Sequence, residues 1–441
     1  MDEQQLLSLK PELDRFLARY VPLFGREENG HHAQRFVGGL LYGGERRNAE
    51  NVAEAMQGGP VRSLQAFITT GVWEDRQLLA QLRSDVLEVL ADDEAIVNLD
   101  ETGFAKKGKK SVGVARQYSG TLGRVDNCQI AVFANYCTPA GGGQVPGHTL
   151  IDRRLYLPKE WTDDPQRCVE AGVPEEVVFR TKPELALEMV CSLVGEGTPF
   201  RWVGGDSVYG DNSSLVEGLR QLNKWYVLDV SSSLTVWTSE PEVIAPEDHS
   251  HKGRGRRRSK PQVIGEKQTV AEVVAHLPAQ AWKRMSLGEG SQGKRMCECA
   301  EVDVWFPEAG LPGPKERLVV RRSLCQEPEI KVQRSNAPQT IALSKVAAAG
   351  AARWSIEEDF QCGKGECGLD EYETRGWSGW HHHTALAMLA QAFLTLQRQR
   401  LGEKRTADDR ARGAGAAEAS ARRAPMEPDR DPSLVPMATG T

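Results

Sequence analysis

The stretch 97-VNLDETGFAKKGKKSVGVARQYSGTLGR-124 opens as an apolar run and meets a carboxylate, Asp100, with Glu101 beside it. Lys106, Lys107, Lys109, Lys110, Arg116 and Arg124 follow, and no acid stands between Glu101 and Asp126. "AIVNLD" (95–100) reads as a short buried strand with an acid at its tip. "SVGVARQYSG" (111–120) and "NCQIAVFANYC" (127–137) alternate and are rich in Val, Ile, Phe and Tyr, as adjacent strands should be. "HTLIDRRLYLP" (148–158) resumes a strand after the turn "AGGGQVPGH". Beyond a loop and the helix "PELALEMVCSLVGEG" (183–197), "FRWVGGDSVYGDN" (200–212) is a second strand ending in an acid, Asp206. A helix over 213–222 and the strand "KWYVLDV" (224–230) come next. Strands alternating with helices predict an α/β layered domain.

Working outward, residues 1–90 read as a small helical N-terminal domain. "LLSLKPELDRFLARYVPLF" (6–24) and "EDRQLLAQLRSDVLEVLADD" (74–93) repeat apolar residues at three- and four-residue steps. His31, His32, Arg35, Arg46 and Arg47 give this part some basic character, suited equally to DNA contact and to an exposed helix face. The α/β pattern over 91–230 is interrupted at 231–340 by a β-rich stretch, which includes the basic loop "HKGRGRRRSK" (251–260). Helices return at 341–400. From 401 to 441 the chain is rich in Ala, Arg, Gly and Pro and reads as a disordered tail.

The chain has 441 residues, of which 40% are hydrophobic, enough for a large core in two or three domains or subdomains. Its formal net charge of −6 is small for this size, so polyanion binding must come from local patches. No apolar run approaches the ~18 residues of a membrane span. The acidic, amphipathic N-terminus is unlike a signal peptide. Nine scattered cysteines lack zinc-finger spacing and read as reduced thiols of a cytoplasmic protein.

"RWSIEEDFQCGK" (353–364) adds a third acid. Arg353, Glu357 and Lys364 lie four and seven residues apart, and at about 100° per residue all three share one helix face. An ordinary solvated face with i,i+4 pairing has the same pattern. Taken with Asp100 and Asp206, however, Glu357 completes a minimal carboxylate cage for Mg²⁺, which prefers carboxylate oxygens. Two such ions about 4 Å apart suit in-line displacement at phosphorus, and flanking bases suit the phosphate backbone.

"LDETGFAKKGKKSVGVARQYSGTLGRVDNCQ", "GGDSVYGDN" and "RWSIEEDFQCGKGECGLDEYETRGWSGWHHHTALAMLAQAFL" resemble, in this order, the three blocks of bacterial insertion-sequence transposases. The resemblance is to insertion-sequence family 701 within the family-4 group and covers roughly residues 10–398. It implies an RNase H-like catalytic core interrupted by a β-rich insertion, with a DDE site. Asp100, Asp206 and Glu357 then match the catalytic acids. The group's Tyr-x2-Arg-x3-Glu-x6-Lys signature maps Arg353, Glu357 and Lys364, but Gly350 stands where its Tyr would fall. The implied activity is cleavage of phosphodiester bonds at transposon ends and joining of the 3′-hydroxyls to target DNA. The implied cofactors are two Mg²⁺ ions, with Mn²⁺ as substitute. The implied partners are double-stranded DNA and a second copy of the chain, in a bacterial, nucleoid-associated setting. Lys106, Lys107, Lys109, Lys110, Arg116, Arg353 and Lys364 are the expected DNA contacts. Glu101 competes with Asp100 for the first ligand position, because successive strand residues face opposite sides; the shorter Asp100 is preferred. A domesticated nuclease and a DNA-binding protein that has lost catalysis are the competing readings.

Other motifs carry less. "GEGSQGKR" (288–295) nearly spells a phosphate-binding loop, but Arg295 replaces the Ser or Thr, and a hairpin turn suffices. His381, His382 and His383 would point about 100° apart on a helix and cannot converge on one metal; DNA contact or packing is expected. Trp225, Trp305, Trp354, Trp377 and Trp380 are core by default, with Trp305 a candidate to stack on an unpaired base.

Overall fold

A computed structural model of the chain describes residues 3–42, 46–56, 60–139, 146–245, 260–290 and 293–421. Five helices come first: α1 (Glu3–Ala18), α2 (Glu27–Tyr42), α3 (Ala49–Ala55), α4 (Val61–Thr69) and α5 (Asp75–Leu90). Their apolar residues fall on one face. Phe36, Val37 and Leu40 of α2 are buried, as are Leu78, Leu79, Leu82 and Val86 of α5. These faces join the same apolar core as Leu99, Phe133 and Leu150 of the sheet.

The sheet begins with β1 (Ile96–Ala105), β2 (Ala115–Ser119), β3 (Arg124–Cys137) and β4 (His148–Tyr156). β3 is long enough to pair antiparallel with β1 along one edge and with β2 and then β4 along the other. Two short helices, α6 (Lys159–Thr162) and α7 (Pro165–Glu170), precede α8 (Lys182–Gly195). α8 starts on a capping box in which Thr181 and Glu184 satisfy each other's backbone N–H groups. Then come β5 (Trp202–Gly205), α9 (Ser207–Gly210), α10 (Ser213–Gln221) and β6 (Trp225–Asp229). β5 is parallel to both β1 and β6.

The β-rich stretch holds β7 (Thr235–Val236), β8 (Glu242–Ile244), β9 (Gln262–Ile264), β10 (Gln268–Thr269) and α11 (Val270–Ala275). The long strands β11 (Lys283–Gly290), β12 (Gly293–Glu308), β13 (Leu311–Arg322) and β14 (Ile330–Ser335) follow. These four do not form a sheet of their own. β14 pairs with β6, giving one ten-stranded sheet ordered β11-β12-β13-β14-β6-β5-β1-β3-β2, with β4 also on β3. The near-phosphate-loop "GEGSQGKR" is the β11–β12 hairpin, as a turn requires.

The chain closes with α12 (Leu343–Ala351), α13 (Trp354–Cys367) and α14 (Trp377–Ala421). Residues to Leu396 belong to one compact unit, and a second begins at Gln397. α14 runs through Ala421, into the segment expected as a disordered tail from 401; Ala, Arg and Glu there are good helix formers. The rest of that tail and most of "HKGRGRRRSK" lie outside the described residues. No helix among the described residues is long and apolar enough to cross a membrane.

Candidate active site

Asp100 is not at a strand tip. β1 continues to Ala105, because β3 pairs with it as far as Ala105 and Cys128. The parallel partner β5 stops earlier, with Leu99 opposite Gly205. Asp100 therefore stands at the first β1 position past the end of β5, where the sheet opens. Asp206 follows β5 directly and caps α9, its Oδ1 accepting the Val208 N–H at 2.9 Å. Glu357 lies in the first turn of α13, and Arg353 precedes that helix at its N-cap. Arg353 ties the group together. Its Nη1 donates to Asp100 Oδ2 at 3.1 Å and its Nη2 to Glu357 Oε1 at 2.8 Å, while its Nε lies 3.5 Å from Asp229 Oδ2.

Asp229 is a fourth acid, one that the motif spacings do not single out. It ends β6 as Asp206 follows β5, so "KWYVLDV" carries the same signal of a strand running into an acid. Glu101 lies near Asp206 but is held by other partners. It accepts Lys182 Nζ at 2.6 Å and the Tyr209 hydroxyl at 3.0 Å.

Burial first, and then the charge of Asp206, pushes the Asp100 carboxyl up to about 7, with Arg353 pulling the other way. Burial and Glu101 likewise raise Asp206 to about 6. Burial works against the Arg353 charge, but Asp229, Asp100, Glu357 and Asp206 together hold it above its usual value. This is a site short of positive charge. Among the described residues, no group of three or more His, Cys, Asp or Glu is arranged to hold a metal ion. The donor chemistry nonetheless fits a hard divalent cation: four carboxylates and no softer donor. The Arg353 guanidinium stands between Asp100 and Glu357, where such an ion would compete with it.

The family model of the DDE superfamily endonucleases matches residues 19–294. The chain belongs to the DDE superfamily of endonucleases. That match contains Asp100 and Asp206 and ends before Glu357. The chain is also 31% identical over 192 residues to a protein of Microchaete diplosiphon named a probable transposase for insertion sequence element IS701. The similarity covers 43% of this chain and 46% of the relative, so it spans about half of that protein's length.

Two glycines help seat Asp229 beside the other acids. A Cβ on Gly210 would lie 1.9 Å from the Asp229 carbonyl oxygen, so only glycine lets α9 seat against the end of β6. Gly210→Ala should cost about 1–3 kcal/mol in urea unfolding; an unchanged midpoint would refute this account. Gly350, in place of the Tyr expected from the resemblance, makes room for Gln333, whose Oε1 would be 2.1 Å from a Cβ there. Gln333 is fully buried, and its Nε2 donates to Asp229 Oδ1 at 2.8 Å.

The bases divide into two sets. Lys364 is drawn inward, donating to the Gly103 carbonyl at 3.2 Å, and burial lowers its pKa. Lys106 donates to the Tyr372 carbonyl at 3.2 Å and sits 3.5 Å over that ring; burial brings it down to about 8. Lys107, Lys109, Lys110 and Arg116 are exposed. Trp354 is not core: it is 56% exposed, next to Arg353 in the first turn of α13. Trp305 is half-buried, its backbone bridged to Trp237. The three histidines pack. His381 bonds to the Trp377 carbonyl, His382 lies between the carbonyls of Ile68 and Trp73, and His383 donates to the Gly368 carbonyl.

Proposed function

We propose that this chain is an insertion-sequence transposase, cutting DNA at transposon ends and joining the 3′-hydroxyls to a target. The observation that carries this is the meeting of Asp100, Glu357 and Asp229 on Arg353, with Asp206 beside them. The strand order β4-β3-β1-β5-β6 supports an RNase H-like core. β11–β14 would be its β-rich insertion and α1–α5 its helical N-terminal domain. Asp100, Asp206 and Glu357 would hold two Mg²⁺ ions, or Mn²⁺ in their place. Bound there, the ions would supply an activated water or hydroxyl and stabilise the leaving oxygen. Asp100 suits the ligand role better than Glu101, which Lys182 and Tyr209 already hold.

Lys107, Lys109, Lys110 and Arg116 would grip the phosphate backbone, which supplies most of the affinity for DNA. Lys106 and Lys364 are tied to backbone carbonyls, so their part would be to shape the surface until DNA draws them out. Arg353 would reach a phosphate near the scissile bond, and the exposed Trp354 offers a face on which a base can stack. The enzyme would act as a homodimer on paired ends, in a bacterial, nucleoid-associated setting. Labelled DNA carrying the element's ends tests the reading. Wild type with Mg²⁺ should release strands ending in 3′-hydroxyls, and Asp206→Ala should not. Identical products from the two proteins would sink the assignment.

A further inference from the structure

Arg353 is held by three acids on three elements, and the three contacts differ. The bonds to Asp100 and Glu357, at 3.1 and 2.8 Å, are full hydrogen bonds. Asp229, at 3.5 Å from Nε, is an ion-pair partner just beyond hydrogen-bonding distance. Asp229 is nevertheless fixed in place. Its other oxygen takes the amide of Gln333, which is buried beside Gly350. Arg353 is only 16% exposed, so it does not float in solvent near the acids. It sits at the junction of α12 and α13, at the N-cap of α13.

We propose that Arg353 is the resident counter-cation of the acid site, and that Asp229 is a positioning residue that pulls it off Asp100 and Glu357 when a divalent ion loads. This rests on the reading of Asp100 and Glu357 as metal-holding residues. One guanidinium and one divalent ion claim the same carboxylate oxygens, so each weakens the other's hold. A DNA phosphate would bind the same guanidinium and pull in the same direction as Asp229. Metal and DNA binding are then coupled, and by linkage each strengthens the other equally. A site of this kind holds metal weakly until its substrate arrives.

The test is calorimetric titration of Mn²⁺ into the DNA-free, full-length chain. Arg353→Gln should bind Mn²⁺ at least about fivefold tighter than wild type. Asp229→Asn should bind about fivefold weaker, because Arg353 then rests on Asp100 and Glu357 alone. In the Arg353→Gln background, Asp229→Asn should change affinity by less than about twofold, the mark of a residue acting through Arg353. A full Asp229→Asn effect in that background, or no tightening in Arg353→Gln, overturns the inference. Should Asp229→Asn fail to fold, Arg353→Lys replaces it: without the fork, its affinity should fall between wild type and Arg353→Gln, and wild-type affinity counts against the proposal. Glu357→Gln separates this inference from its premise. If it titrates like wild type, the metal-site reading itself fails. If it loses binding while the Arg353 and Asp229 variants do not move as stated, only the counter-cation role fails.

Discussion

Glu357→Gln should yield a folded protein whose strand cleavage is slower by at least about 10²–10³-fold, the usual cost of removing one electrostatic contributor to a transition state. The glutamine keeps the size and helix-forming character of the original, and Glu357 is a third exposed, so little stability is at stake. Its role rests on geometry, since the family match ends at 294. Neighbouring Glu358 makes the control. It is 52% exposed, turns away from Arg353 and pairs with His148 at 3.2 Å. Glu358→Gln should cleave within about twofold of wild type, as surface changes away from such features usually do little. Cleavage assays on labelled ends decide the matter. Equal losses in the two variants, or a loss confined to Glu358→Gln, would move the third acid off Glu357.

Asp100→Asn should stabilise the metal-free protein at pH 8 and leave it almost unchanged at pH 4. Folding lifts this carboxyl from 3.8 to about 7. A raised carboxyl keeps a proton in the folded state that the unfolded chain has already released. Stability therefore falls as pH rises between about 4 and 7, the cost being absent below that window and complete above it. For Asp100 the ceiling is on the order of 4 kcal/mol. Asp206, raised to about 6, adds a smaller cost over the lower part of the same window. Urea unfolding at both pH values, with a chelator present, reads the difference. A gain at pH 4 as large as at pH 8, or a loss at pH 8, would refute the account. The variant most damaging to the proposed chemistry would then be the more stable protein, because the carboxylate is held ionised against burial first and the charge of Asp206 second.

The strands are legible in the sequence through alternation, and the three proposed acids leave local marks there: a run into an acid, a four-residue step to Arg353. Other features depend on distant partners. That Asp100 lies mid-strand is decided by where β5 ends, not by anything near Asp100. Asp229 carries the same mark as Asp206, yet acquires meaning only beside Arg353, more than a hundred residues later in the chain. Lys106 and Lys364 look like DNA contacts in a linear reading. Tyr372 and Gly103 claim them in the fold, and neither is close in sequence. Composition alone places Trp354 inward, whereas the helix start that exposes it is set by the break after α12. The β-rich stretch is recognisable as strands, but the strand that receives them is not, because edge pairing leaves no periodic trace in the sequence.

That edge pairing has a mechanical consequence. β6 carries Asp229 at its end and bears β14 on its flank, so paired strands run from β11 to the strand that holds Asp100, with register shifts only in the β11–β12 and β12–β13 ladders. A plate built this way joins its outer strands to the acids through strand pairing, with no loop interposed between β14 and β6. Any load placed on β11–β14 reaches Asp229 as a twist of the sheet itself, in the manner of a lever welded to its fulcrum.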